Sequence, residues 1–207
     1  MTFLRILTYN PAMPRTVIIC GVLAAFAAAA PATRATDAVS WFDRPLANWN
    51  EPGVPVPAAP TRDESREAIV KRCALAPRLS TAAERALADA GWIPFLHVDR
   101  QLMRDDIEII GGLVAADELC QPADFNLFVF VGGHFAGTLS PVLMRTQKDG
   151  SAGAVRIAGL DTITAEFSRF RDGDPSCRAW AHVAMRFRID RTAPHVLVVP
   201  VERRIKE

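Results

Sequence analysis

Apolar and polar residues alternate with a period of two through much of the second half of the chain. "DTITAEFSRF" (161–170) sets Ile163, Ala165 and Phe167 on one side and Thr162, Thr164 and Glu166 on the other. "HVAMRFRI" (182–189) sets Val183, Met185, Phe187 and Ile189 inward and His182, Ala184, Arg186 and Arg188 outward. "WIPFLHV", "DIEII" and "HVLVVPV" read as further strands, with "DIEII" ending at Gly111-Gly112. A period of two marks half-buried strands. Strands in succession, with no helix between them, imply an antiparallel meander. Two short helices precede them. Thr61 to Glu64 and Thr81 to Glu84 each fit a capping box, in which a hydroxyl and a carboxylate satisfy free backbone N–H groups. The first helix presents Ile69, Val70 and Cys73, the second Ala83, Leu87 and Ala90, and Gly91 suits a helix stop. The expected class is α+β: two short N-terminal helices followed by an antiparallel β-sheet meander, in one domain over residues 61–207.

"NLFVFVGGHFAGTLSP" (126–141) is rich in glycine and raises the question of a phosphate loop. Gly132, Gly137 and Thr138 have Walker A spacing, but the lysine is missing and Pro141 replaces the helix that should follow. A hairpin explains the segment better. Gly132-Gly133 between apolar runs fits a two-residue turn with positive φ. The pairing expected is Val131 with His134, Phe130 with Phe135, Val129 with Ala136 and Phe128 with Gly137. Phe128, Phe130, Phe135 and Leu139 then share one face, and Phe128 lies over the bare backbone of Gly137.

The N-terminus differs in kind. Residues 1–35 hold Arg5, Arg15 and Arg34 but no acid, and 17–30 is the apolar run "VIICGVLAAFAAAA". A basic start, a short apolar run and small residues at its exit form a secretory signal peptide, with Met13 as an alternative start. The run is short for a membrane span of roughly 20 residues, so cleavage is expected and no stable span remains. Cleavage after Ala35 lowers the formal charge of +1 by three, to −2. Neither value gives a basic footprint for nucleic acid. Residues 36–60 form a Pro/Trp-rich arm. Pro45, Pro52, Pro55, Pro57 and Pro60 forbid a helix, and Trp41, Phe42 and Trp49 favour packing onto the body.

Cys20 lies in the apolar run after Ile18-Ile19, without the small residue that a lipid-attachment site requires. Cys73, Cys120 and Cys177 remain. An oxidising compartment favours a disulfide. Three thiols leave one spare. Cys73 and Cys120, both near element ends, are the pair expected. No C-x-x-C spacing supports a redox or zinc site.

Candidate chemistry gathers in "HVDRQLMRDDIE" (97–108). His97 and Asp99 share a strand face, and Arg104, Asp105, Asp106 and Glu108 follow. With His134, these residues offer a binding site, or carboxylates for acid–base work in a hydrolase. The plainer reading is a solvated connection whose charges pair at the surface. His182, Arg186 and Arg188 form an outward basic stripe, read likewise as solvated. No metal site or cofactor is indicated, since the four histidines lack ligand spacing.

"LFVFVGGHFAGTLSP", "DTITAEFSRF" and "HVAMRFRI" together resemble the LppP/LprE family of exported lipoproteins, as do "WNEPG" and "GWIPFLHVDRQLMRDDIEIIGG". The resemblance covers roughly residues 75–200. It implies an envelope location and an antiparallel α+β domain, and it carries no activity. The lipid-attachment cysteine of that family is missing, so a soluble periplasmic or secreted form is expected. The functional expectation is a non-catalytic envelope module that binds another envelope protein or a small ligand. The alternative is a hydrolase using the carboxylates at 99–108 with His97 or His134.

Overall fold

A computed structural model describes residues 40–206, apart from 78, 96–101, 172, 176, 177 and 193. The leader, His97, Asp99 and Cys177 lie outside the described residues. Two helices, α1 (Arg66–Arg72) and α2 (Ala82–Asp89), precede nine strands, all antiparallel. The class is α+β, as the alternation predicts, with two sheets in place of one meander. β1 (Ile93–Phe95), β2 (Met103–Arg104), β3 (Ile107–Ala116), β4 (Pro122–Val131) and β5 (His134–Thr138) form the first, ordered β1-β3-β4-β5, with β2 also on β3. β6 (Ser151–Gly159), β7 (Thr162–Arg169), β8 (Ala181–Asp190) and β9 (Leu197–Lys206) form the second in chain order.

Alternation along β4 serves two cores. Leu127, Val129 and Val131 face the second sheet and pack with Ile163, Phe167, Met185 and Phe187. Phe128 and Phe130 point the other way, under Leu87 of α2 and Trp92. The first sheet is therefore buried on both faces. The second buries one face and leaves the other to solvent, which is why its strands show the cleanest alternation.

Glycines explain three departures from expectation. Gly111 and Gly112 do not end β3; they lie inside it. A Cβ on Gly111 would sit 2.6 Å from the Phe95 ring, and one on Gly112 would sit 2.8 Å from Phe128. Aromatic rings occupy the space a side chain would need. The Gly132-Gly133 turn forms as expected, with φ of 57° and 79°. Val131 pairs with His134 and Phe130 with Phe135, but Val129 then meets Gly137 and Phe128 meets Thr138. Ala136 is the extra residue of a β-bulge. One added residue inverts the alternation that follows. Phe135 therefore joins Phe128 and Phe130, while Leu139 goes to the core between the sheets. Phe128 covers Gly112 rather than Gly137. The side chain of Asn50 occupies the space at Gly137, 2.5 Å from where a Cβ would stand.

α2 has the capping box expected: Glu84 N–H donates to Thr81 Oγ1, and the Glu84 carboxylate accepts from Thr81 N–H. At its other end Gly91 N–H donates to Ala88 O and Trp92 N–H to Leu87 O, the paired bonds of a Schellman stop. α1 begins a turn later than the Thr61 box implies. Its cap is Ser65, whose Oγ accepts from Ala68 N–H, because Glu64 is drawn off by a two-pronged pair with Arg72. α1 is held to the β3–β4 turn by the Cys73–Cys120 disulfide, with Cα atoms 5.4 Å apart.

The arm belongs to the same compact unit as the sheets. Phe42 is buried against Phe167 and Trp41, and Trp92 Nε1–H donates to Pro57 O. Trp49 Nε1–H donates to Thr138 O. Asn50 Oδ1 accepts from Thr138 N–H at 2.8 Å, and its Nδ2 donates at 3.0 Å both to Thr138 O and to Val198 O. One amide thus bridges β5, an edge of the first sheet, and β9, an edge of the second.

Asn50→Ala removes the amide from Thr138 N–H and Val198 O, while Thr138 O keeps the Trp49 indole, and should lower stability by about 2 kcal/mol, read as a fall in the urea midpoint. The disulfide closes a loop across a sequence separation of 47, so reductant should cost about 4 kcal/mol in the same assay by the chain-entropy relation.

Candidate functional site

The residues singled out in the sequence divide among separate partners. His97 and Asp99 lie outside the described residues. Arg104, on the two-residue β2, is exposed and sits 3.6 Å from Asp105. Asp106 accepts from both terminal nitrogens of Arg191 at 2.8 and 2.9 Å, and Arg191 Nε–H donates to Asp161 at 2.6 Å. Those bonds hold the Asp106 carboxyl below its ordinary range and raise the guanidinium. Asp106 is thereby fixed as an anion that ties the β2–β3 turn to the β6–β7 turn. His134 opens β5 and is exposed. Glu108 accepts from Thr81 Oγ1 at 2.8 Å and so belongs to the α2 side of the sheet. Among the described residues, no group of three His, Cys, Asp or Glu is placed to hold a metal ion.

A different surface gathers charge: the outward face of the second sheet. Strand register fixes it. Arg156 on β6, Thr164 on β7, Arg186 on β8 and Glu202 on β9 form one row across the four strands. Glu166, Ala184 and Arg204 form the next. The small side chains Ala154 and Ala184 leave a hollow of about 600 Å³, walled by longer charged ones. Arg156, Arg186, Arg204 and Lys206 line it, against the carboxylates Glu166 and Glu202. Both carboxylates are engaged. Glu202 accepts from Arg186 at 2.8 Å and from Arg204, and Glu166 lies near His182 and Lys206. Arg156 has no such partner among the described residues.

The sequence shows part of this surface. His182, Arg186 and Arg188 do point outward, and each has a carboxylate within 4 Å. Arg156 was not visible as part of it, because "SAGAVRIAG" has too little alternation to declare a strand; only Ser151 and Val155 are buried there. Arg204 and Lys206 were missed because β9 runs on through polar "ERRIK". Their positions two apart were the available signal.

Glu108 is the described carboxyl whose pKa is raised. Burial raises it first, the Thr81 hydrogen bond opposes that, and Glu84 adds repulsion. A carboxyl raised by folding favours the native state below its unfolded pKa and loses that contribution as pH rises through the folded value. Glu108→Gln should therefore raise the urea midpoint at pH 7, with the gain vanishing below about pH 4. Denaturation at both pH values checks this.

No family model, curated protein or solved structure matches the chain.

Proposed function

We propose that the chain is an exported, non-catalytic binding module of the cell envelope whose contact surface is the outward face of the second sheet. The carrying observation is the hollow of about 600 Å³ on that face, walled by four cations and two carboxylates. A ligand site pairs a concave surface with a few convergent polar groups. The first sheet, in contrast, is covered on both sides.

Export is supported by the basic-then-apolar leader and by the Cys73–Cys120 disulfide, a bond that persists in oxidising compartments. The resemblance of the hairpin and strands to the LppP/LprE family supports the envelope. The absence of a lipid-attachment cysteine favours a soluble periplasmic form. No helix among the described residues is long and apolar enough to cross a membrane. Binding is favoured over acid–base chemistry because Asp106 and Glu108 are committed to Arg191 and Thr81, on different elements.

Two measurements test the proposal. N-terminal sequencing of protein recovered from the periplasm should begin after Ala35 or Ala32; retention in the cytosol with Arg15 intact argues against export. Ala184→Trp fills the hollow from its floor without touching the inward face. Native mass spectrometry of the exported protein should show a bound species on the wild type and none on the variant. Identical spectra argue against this face as the contact surface.

A further inference from the structure

The two ends of the Cys73–Cys120 disulfide have unequal surroundings. Arg72, next to Cys73 in the chain, reaches across to the other sulfur. Its Nε–H and Nη2–H donate to the Glu64 carboxylate at 2.8 Å, Nη2–H also donates to Ala116 O at 3.1 Å, and Nη1–H to Asp117 O at 2.9 Å. Nη1–H also faces Cys120 Sγ at 3.6 Å. Oxygen acceptors thus fix a cationic donor against one sulfur. The Asp117 carboxylate accepts from Leu119 N–H and Gln121 N–H within its own turn. Cys73 is the C-cap of α1, at the helix end whose partial negative charge disfavours an anion. A thiolate is therefore favoured on Cys120 and disfavoured on Cys73.

The backbone at both ends lies in the left-handed region without glycine. Ala74 has φ of 47° just past the C-cap, where Leu75 N–H donates to Val70 O, and Cys120 itself has φ of 61°. Residues with a Cβ resist that region. Both cysteines are half-buried, so a thiol can approach them. Exposed disulfides in strained settings are the ones that exchange.

We infer that Cys73–Cys120 is a thiol-exchange site of fixed polarity, in which an external thiolate adds to Cys73 and Cys120 leaves. A new bond joins the incoming sulfur to Cys73 Sγ. The Sγ–Sγ bond breaks, and its electron pair stays on Cys120 as a thiolate facing Arg72. The incoming thiol is oxidised as Cys120 is reduced, so the step balances. Its reverse closes the bond, with the Cys120 thiolate attacking a mixed disulfide held on Cys73. Arg72 is the positioning residue, and Glu64 opposes it by sharing the guanidinium charge. Exchange frees the end of α1 from the β3–β4 turn, while Ile69 stays buried in the core.

The test uses the full chain, with any thiol already free capped by N-ethylmaleimide. Glutathione is added at pH 7, the reaction is quenched with iodoacetamide, and peptide mapping locates the adduct. Glutathione should be found on Cys73 and the iodoacetamide label on Cys120. Arg72→Gln should slow exchange about tenfold, the loss of one hydrogen bond to a charged group, and even out the adduct between the two cysteines. Glu64→Gln, which leaves the guanidinium less neutralised, should speed exchange and keep the adduct on Cys73. Both variants loosen the same clamp, so a merely structural role would move their rates in the same direction. Rates that rise in both variants overturn the inference, as does wild-type adduct on Cys120 or shared evenly. A parallel arm uses a thioredoxin whose second active-site cysteine is replaced by serine. Adduct on Cys73 from glutathione alone gives a small thiol as the source, and from the thioredoxin a protein dithiol; either supports the polarity. No adduct from either overturns it.

Discussion

Two sheets packed face to face leave a seam where their edge strands run side by side, and the amide of Asn50 bridges that seam. It accepts from and donates to Thr138 on β5 while donating to Val198 on β9. Much nearby sequence answers to this contact. Position 137 has to be glycine, because the amide fills the space a Cβ would take. Trp49 has to precede the amide so that its indole can close over Thr138 and meet Phe187. The prolines around it hold the arm extended, so it passes over the seam without joining either sheet. A half-buried amide with all its partners favours one arrangement, since a slip leaves backbone groups unsatisfied.

Arginines fasten the molecule around that seam. Arg191 joins Asp106 of the first sheet to Asp161 of the second. Arg169, nearly buried, joins Asp43 of the arm to Asp149 of the β5–β6 connection and lies over the rings of Phe42 and Trp180. Burial works against the Arg169 charge, and the two carboxylates more than offset it. The contrast in exposure sets different worth. Arg191 meets its partners in water, where screening leaves little net gain. Losing both partners of Arg169 would strand a desolvated charge.

Legibility in the sequence followed how far each residue's neighbours in space were also its neighbours in the chain. β7 and β8 have one dry and one wet face, so their alternation could be read directly. The Gly132-Gly133 turn and the Thr81–Glu84 cap are local and were equally plain. The Ala136 bulge was not, because the Asn50 amide that fills the space at neighbouring Gly137 lies far away in the chain. Gly111 and Gly112 looked like a stop because nothing nearby reveals that Phe95 and Phe128 cover them. The candidate site suffered most. Arg104 and Asp106 attracted attention by lying near other charges in sequence, and His134 as a histidine that could join them, whereas the hollow is assembled across strands from Arg156 to Lys206. β6 sat below the threshold of pattern, so its arginine could not be placed.

The Asn50–Val198 bond spans 148 positions, nearly the whole described chain. A chain delivered N-terminus first presents the arm before the strand it must grip exists as a folding partner. Trp41 and Trp49 then wait with their apolar surfaces uncovered until Phe167 of β7 and Phe187 of β8 arrive. Contacts of such sequence separation are made late and slowly. The last stage of folding is thus the meeting of the two ends of the domain, and the interval before it is when the molecule is most open to aggregation or to a chaperone that shields aromatic segments.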